Sequence, residues 1–143
     1  MDFEEAKIRH LEMVQEVVKR MASNLFYLKG WAITLIAGAF ALAAKDSNDI
    51  YLFLPYFPLI IFWALDGYFL SQERLFRRLY DEVRLKTAQN VDFSMDTRPY
   101  QKGLVGKFLS LDWAEGLTRP TILAFYVPLL LVIVSFTVLI LNT

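Results

Sequence analysis

The chain has 143 residues, of which 56% are hydrophobic and 21% charged, a length that allows one domain. Fifteen basic and fifteen acidic residues cancel, so the global positive field expected of a nucleic-acid binder is missing. Cysteine is absent, which excludes disulfides and thiolate metal sites.

The apolar residues collect in three blocks instead of spreading as they would through a soluble core. The N-terminal segment comes before the first of them. It opens on Asp2, Glu4 and Glu5 without a basic n-region, so a cleaved signal peptide is not expected. Asp2 followed by Glu5 resembles a capping pair. Leu11, Val14, Val18, Met21, Leu25 and Leu28 then recur at spacings of three and four, a heptad seam that runs into the first span. His10 lies in this helix with no second imidazole in the chain, and the expectation is that it faces solvent.

The first span is placed at residues 25–44, about 20 residues and long enough for a bilayer core, with Lys29 inside its end. It is rich in small residues, and Gly30, Thr34 and Gly38 repeat at intervals of four. That spacing lets helix backbones approach closely in lipid. Residues 50–70 form the second span. It is aromatic where the first is small, and it contains one charge, Asp66. The third span, residues 121–141, has none. Three such stretches in so short a chain leave too little polar surface to cover them in water.

Residues 71–120 connect the second and third spans. The second helix is expected to continue to about Lys86, with Glu73–Arg77 and Arg77–Asp81 as pairs along its surface. Val91 to Pro99 reads as a loop. Tyr100 to Leu117 reads as one short amphipathic helix near the membrane surface, with Phe108, Leu111 and Trp113 facing lipid or the bundle. Pro120 suits a first helical position, where its missing N–H is not needed.

Lys and Arg are abundant before residue 30 and throughout the second connection, but the first connection, 45–49, has only Lys45. Positive loops stay in the cytoplasm, so the N-terminus is expected inside and the C-terminus outside. The expected fold is therefore an all-α membrane protein of three transmembrane helices with helical cytoplasmic extensions. It is a single domain over residues 1–143, and residues 1–24 form a cytoplasmic amphipathic helix.

Lys29 lies eighteen residues before Ser47 and Asp66 nineteen after it. At 1.5 Å per residue the two charges come to nearly the same depth in an antiparallel hairpin. The same count sets Arg20 near Glu73, and Glu16 near Arg77 and Arg78. A charge inside a span is a functional candidate, so Lys29 and Asp66 are read either as a structural pair or as a gate. Arg74, Arg77 and Arg78 are read as a positive-inside flank or as a site for a cytoplasmic anionic ligand, a nucleotide or an acidic lipid. Gly103 to Lys107 lacks the hydroxyl residue and spacing of a phosphate-binding loop. No catalytic triad or metal-ligand cluster can be assembled, so neither enzyme activity nor a cofactor or metal is expected. Sequence-specific nucleic-acid binding is not expected either.

Several stretches resemble a known group of proteins: Arg20-Met21-Ala22 with Asn24, Leu28-Lys29-Gly30-Trp31, Phe62-Trp63, Leu65-Asp66 with Tyr68, Glu73-Arg74, Phe76-Arg77, Leu79-Tyr80 and Phe125-Tyr126. Together they are similar to small bacterial inner-membrane effectors of nucleotide-signalling anti-phage loci, of the SLATT type and the Hailong type. The resemblance implies a homo-oligomer in the inner membrane that disrupts the bilayer or conducts ions. It also implies a trigger, a nucleotide signal from a partner enzyme, and it brings no catalytic residues. A non-enzymatic scaffold anchoring a cytoplasmic partner through residues 1–28 is the alternative.

Overall fold

A computed structural model of the chain describes residues 2–45, 49–101 and 111–142, with the side chains of residues 49 and 111 also outside the description. The described residues are helical, with no strand among them. Helix α1 spans Phe3–Lys45, α2 Tyr56–Leu85, α3 Leu111–Leu117 and α4 Pro120–Leu141. The long helices α1, α2 and α4 are each long and apolar enough to cross a membrane. The chain is a multi-pass membrane protein.

Helix α1 has 43 residues, so it is about 64 Å long, roughly twice a hydrocarbon core. Its buried positions include His10, Val14, Val18, Ala32, Ile36, Ala39 and Ala43. Met21, Leu25 and Leu28 are half-buried between them. Steps of three and four therefore continue from one end of the helix to the other, and a single seam serves both the soluble and the membrane halves. Glu4 and Glu5 in the first turn and Lys45 in the last suit the helix dipole.

Helix α2 returns along this seam. The apolar stretch long enough to span begins at Ile50, but its first turn is the 3-10 helix Asp49–Phe53 and the α-helix begins at Tyr56. Two prolines explain the break. Pro58 has no N–H to offer the Leu54 carbonyl, so the α-helical ladder cannot run further back. Pro55 precedes the first turn, and Leu59 donates to its carbonyl at 3.4 Å. Beyond the membrane portion α2 continues without interruption to Leu85.

Tyr100 closes a 3-10 turn at Arg98–Tyr100 and Gln101 after it is extended, so the expected helix does not begin at Tyr100. Its end is α3, Leu111–Leu117, and residues 102–110 between them lie outside the described residues. Phe108 lies outside the described residues. Trp113 faces the bundle: its indole N–H donates 3.1 Å to the Ala64 carbonyl of α2. Trp63 of α2 answers with a 3.1 Å bond to the Leu117 carbonyl. The two indoles clasp α3 to α2, and the backbones meet at glycines. A Cβ on Gly116 would fall on the Gly67 carbonyl, and one on Gly67 would strike the Leu117 side chain.

Helix α4 packs into the α1–α2 groove. Ile36, Leu59, Ile122, Tyr126 and Ile133 form a buried core, with Phe40, Phe62, Trp63 and Leu129 packed against it. Near the far end Phe40 meets Phe136 edge-on at 4.5 Å, and the hydroxyls of Tyr56 and Thr137 lie 3.3 Å apart. Pro128 is accommodated inside α4, as membrane helices allow. A second core, Val14, Leu79, Val83 and Val91, joins α1 and α2 at the end of the hairpin where the N-terminus lies.

Candidate functional site

The structure brings Lys29 and Asp66 together. The Lys29 ammonium donates 2.5 Å to Asp66 Oδ2, and the side chains are 27% and 0% exposed respectively. The seam geometry explains the meeting: two antiparallel helices of equal rise, joined by a short connection, place residues equidistant from that connection at one level. Lys29 also lies 3.5 Å from the Leu25 carbonyl, and its ammonium sits 5.6 Å from the centroid of the Phe125 ring, within cation–π range.

A third helix reaches the same carboxylate. Tyr126 of α4 is fully buried, and its hydroxyl is close enough to Asp66 to interact with it electrostatically. The approach falls short of hydrogen-bond geometry: Asp66 Oδ1 and the Tyr126 hydroxyl have no partner among the described residues. The Tyr126 ring stacks on Trp63, with centroids 5.7 Å apart and planes within 5°. One buried carboxylate thus touches all three long helices at a single depth. With its ammonium in place the site is neutral overall, so a passing cation would first have to displace Lys29. Any motion that parts α1 from α2 here must break the pair.

Gly30, Thr34 and Gly38 lie elsewhere. All three are exposed on α1. A Cβ added at Gly30 or Gly38 meets nothing within 4 Å, and the Thr34 hydroxyl turns back to its own helix, donating 2.9 Å to the Gly30 carbonyl. Thr34, Leu35, Gly38 and Leu42, with Leu54 and Phe57 from the turn into α2 and its first residues, line an open apolar groove. Within the chain, the close backbone approach is made by Gly67 and Gly116 instead.

Of Arg74, Arg77 and Arg78, the last two turn to separate partners. Arg77 pairs with Glu73 at 2.6 Å. Arg78 donates to the Tyr100 carbonyl at 2.9 Å and to Asp112 at 3.3 Å. Arg20 and Glu16 form no ion pair among the described residues, so the levels that the count sets for Arg20 with Glu73 and for Glu16 with Arg77 and Arg78 do not become contacts. The physical reason is local competition: Glu73 is satisfied one turn away on its own helix, and Arg78 is recruited by the following connection. The remaining polar groove here, lined by Gln15, Lys19, Arg77, Tyr80 and Asp81, mixes both signs of charge.

The solvent-facing expectation for His10 is corrected. His10 is 3% exposed, because residues 86–101 fold back across the helical hairpin and lay Phe93 over it, ring centroids 5.7 Å apart and planes at 78°. Gly67 and Gly116 were missed in the sequence, and Trp63 and Tyr126 entered it only through the resemblance. Gly67 directly follows the intramembrane Asp66, and a glycine beside a buried charge was a signal of tight packing that could have been followed.

Among the described residues no group of three His, Asp or Glu side chains is arranged to hold a metal. No protein-family model matches the chain, and no curated protein or solved structure proves similar to it.

Proposed function

We propose that the protein is an oligomeric effector or ion channel of the bacterial inner membrane. It permeabilises or depolarises that membrane in anti-phage defence, under the control of a cytoplasmic nucleotide signal or a partner protein. The basic end of the hairpin then lies in the cytoplasm, by the positive-inside bias of its Lys and Arg residues. The observation that carries the reading is the contrast between a filled interior and an unfilled α1 face. Ile36, Leu59, Ile122, Tyr126 and Ile133 occupy the space between the three long helices, so a conducting path has to run between copies. The face bearing Gly30, Thr34 and Gly38 has room for a neighbouring helix to come close. The sequence resemblance to small membrane effectors supports the same reading, and the resemblance alone supplies the defence setting and the nucleotide signal.

The test is expression of the chain alone in a bacterial host carrying a potential-sensitive dye, paired with ion flux from liposomes containing the purified protein. Depolarisation and flux are expected, and Gly38→Leu should weaken both together with chemical crosslinking between copies. An intact potential at high abundance, with tight liposomes, would overturn the channel reading and leave the membrane scaffold. Unchanged crosslinking in Gly38→Leu would remove α1 as the interface.

A further inference from the structure

Outside the membrane portion of the hairpin the structure buries one titratable ring that no other contact explains. His10 is 3% exposed, and its Nε2 has no hydrogen-bond partner among the described residues. Its cover is Phe93, the one non-glycine residue with positive φ among them, at 55°. A bulky aromatic residue is strained there, and such strain persists only where surrounding contacts hold it. The covering segment, residues 86–101, is held by apolar packing and a few polar ties. Ala88 and Val91 are buried, and Met95 and Tyr100 pack against the core of Val14, Leu79 and Val83. Lys7 donates 2.7 Å to the Lys86 carbonyl and Arg78 donates to that of Tyr100.

We infer that His10 and the segment over it form a proton-sensitive latch, in which protonation of His10 releases residues 86–101 from the α1–α2 hairpin. A proton added at Nε2 puts a charge where no acceptor waits, and the closed state must exclude water from that charge. The charged groups around the ring do not remove this cost. On α1, Lys7 lies one turn away with its ammonium turned to the Arg84 and Lys86 carbonyls. On α2, Glu82 is paired with Lys86 at 2.7 Å. On the segment itself Asp92 favours the imidazolium, but burial outweighs it and holds the His10 pKa below its ordinary value. One Asp92 oxygen is already used by the Ser94 amide at 3.2 Å.

The sign comes from linkage. The open state binds the proton more tightly than the closed state, so closure is fully favoured above the ordinary histidine pKa and weakens as pH falls below it. Opening would uncover the apolar patch of Val14, Leu79 and Val83 and undo the strain at Phe93. The latch does not depend on whether the membrane portion conducts.

Hydrogen exchange on the full chain in detergent micelles tests it, at about pH 7.5 and about pH 5, either side of the ordinary histidine value, with rates corrected for intrinsic chemistry. The Asn90 and Tyr100 amides, which bond to Thr87 and Thr97, should exchange severalfold faster at the lower pH while α4 amides stay protected. His10→Phe keeps the ring contact without the titration and should abolish the pH response. His10→Gln should abolish it too, and serves if the phenyl variant folds poorly. Equal protection of the native segment at both values would overturn the latch, as would an acid response that persists in both variants.

Discussion

Breaking the Lys29–Asp66 pair from its two sides should have unequal consequences. Removing one partner of a fully buried ion pair costs about 3–5 kcal/mol, because a charge is left alone in a low-dielectric site. Asp66 is fully buried, but Lys29 retains 27% exposure. In Asp66→Asn the freed ammonium can swing on its four-carbon stem toward headgroup water, so the loss should be about 1–2 kcal/mol. In Lys29→Gln the carboxylate has no such escape, and Oδ1 already lacks a hydrogen-bond partner among the described residues. That variant should lose about 3 kcal/mol or more. The double variant removes both charges and should return to within about 1 kcal/mol of the parent. Near the midpoint each kcal/mol moves Tm by about 2–4 °C for a chain of this size, so the three proteins should separate clearly. Tryptophan fluorescence on heating in mild detergent is the assay, since Trp63 stacks on the Tyr126 ring beside the pair. Liposome ion flux on the same proteins distinguishes the gate. If Asp66 controls a cation path, Asp66→Asn changes conductance with little loss of stability, and Lys29→Gln does not compensate. Additive stability losses without recovery in the double variant would refute the paired reading.

Gly116→Val should cost about 1–3 kcal/mol, as overpacking does, because the new side chain meets the Gly67 backbone, which cannot swing aside. Gly38→Ala, facing open space, should stay within about 0.5 kcal/mol in dilute detergent, and thermal melts compare the two directly. Alkali should also loosen the 86–101 segment: burial, and then Glu82, push the Tyr100 hydroxyl up to about 12. The packed segment therefore holds that proton more tightly than the free one, and its stability is complete below the ordinary tyrosine value and declines as pH rises above it. Tyr100→Phe should flatten that decline in hydrogen exchange, and an unchanged decline would assign it to another group. The chain has no cysteine of its own, so single-cysteine labelling with an impermeant maleimide reads the orientation. Ser47→Cys should react in intact spheroplasts and Asn90→Cys should not, whereas labelling of Asn90→Cys alone would reverse the orientation.

The candidate site was partly legible. The depth count that sets Lys29 against Asp66 depends only on helical rise and a short connection, quantities the chain itself carries. The same count led to no ion pair for Arg20 or Glu16 among the described residues. On a surface helix, long flexible side chains choose among several partners within reach, and Glu73 found Arg77 one turn away. Inside the membrane Lys29 had no rival acidic residue, so geometry alone decided its partner. The third member of the site, Tyr126, was legible only as part of a resemblance. Its role comes from how α4 docks, and the sequence has no count that measures that.

By itself the sequence determined the features that depend on period and solvent. Three long apolar segments require a membrane, spacing of three and four along α1 selects the face that meets α2, and Pro120 marks a helix start. Tertiary structure decided the features that depend on chain segments distant in sequence meeting in space. Gly67 and Gly116 are 49 residues apart, and neither shows in isolation that the other will occupy the volume its missing side chain leaves open. His10 looked polar and free because helical periodicity treats α1 as one partner of a pair. The segment that covers it packs from a third direction, held by Val91, Phe93 and the Tyr100 carbonyl. Burial is a property of everything that arrives at a surface, whereas periodicity reports only the nearest helix.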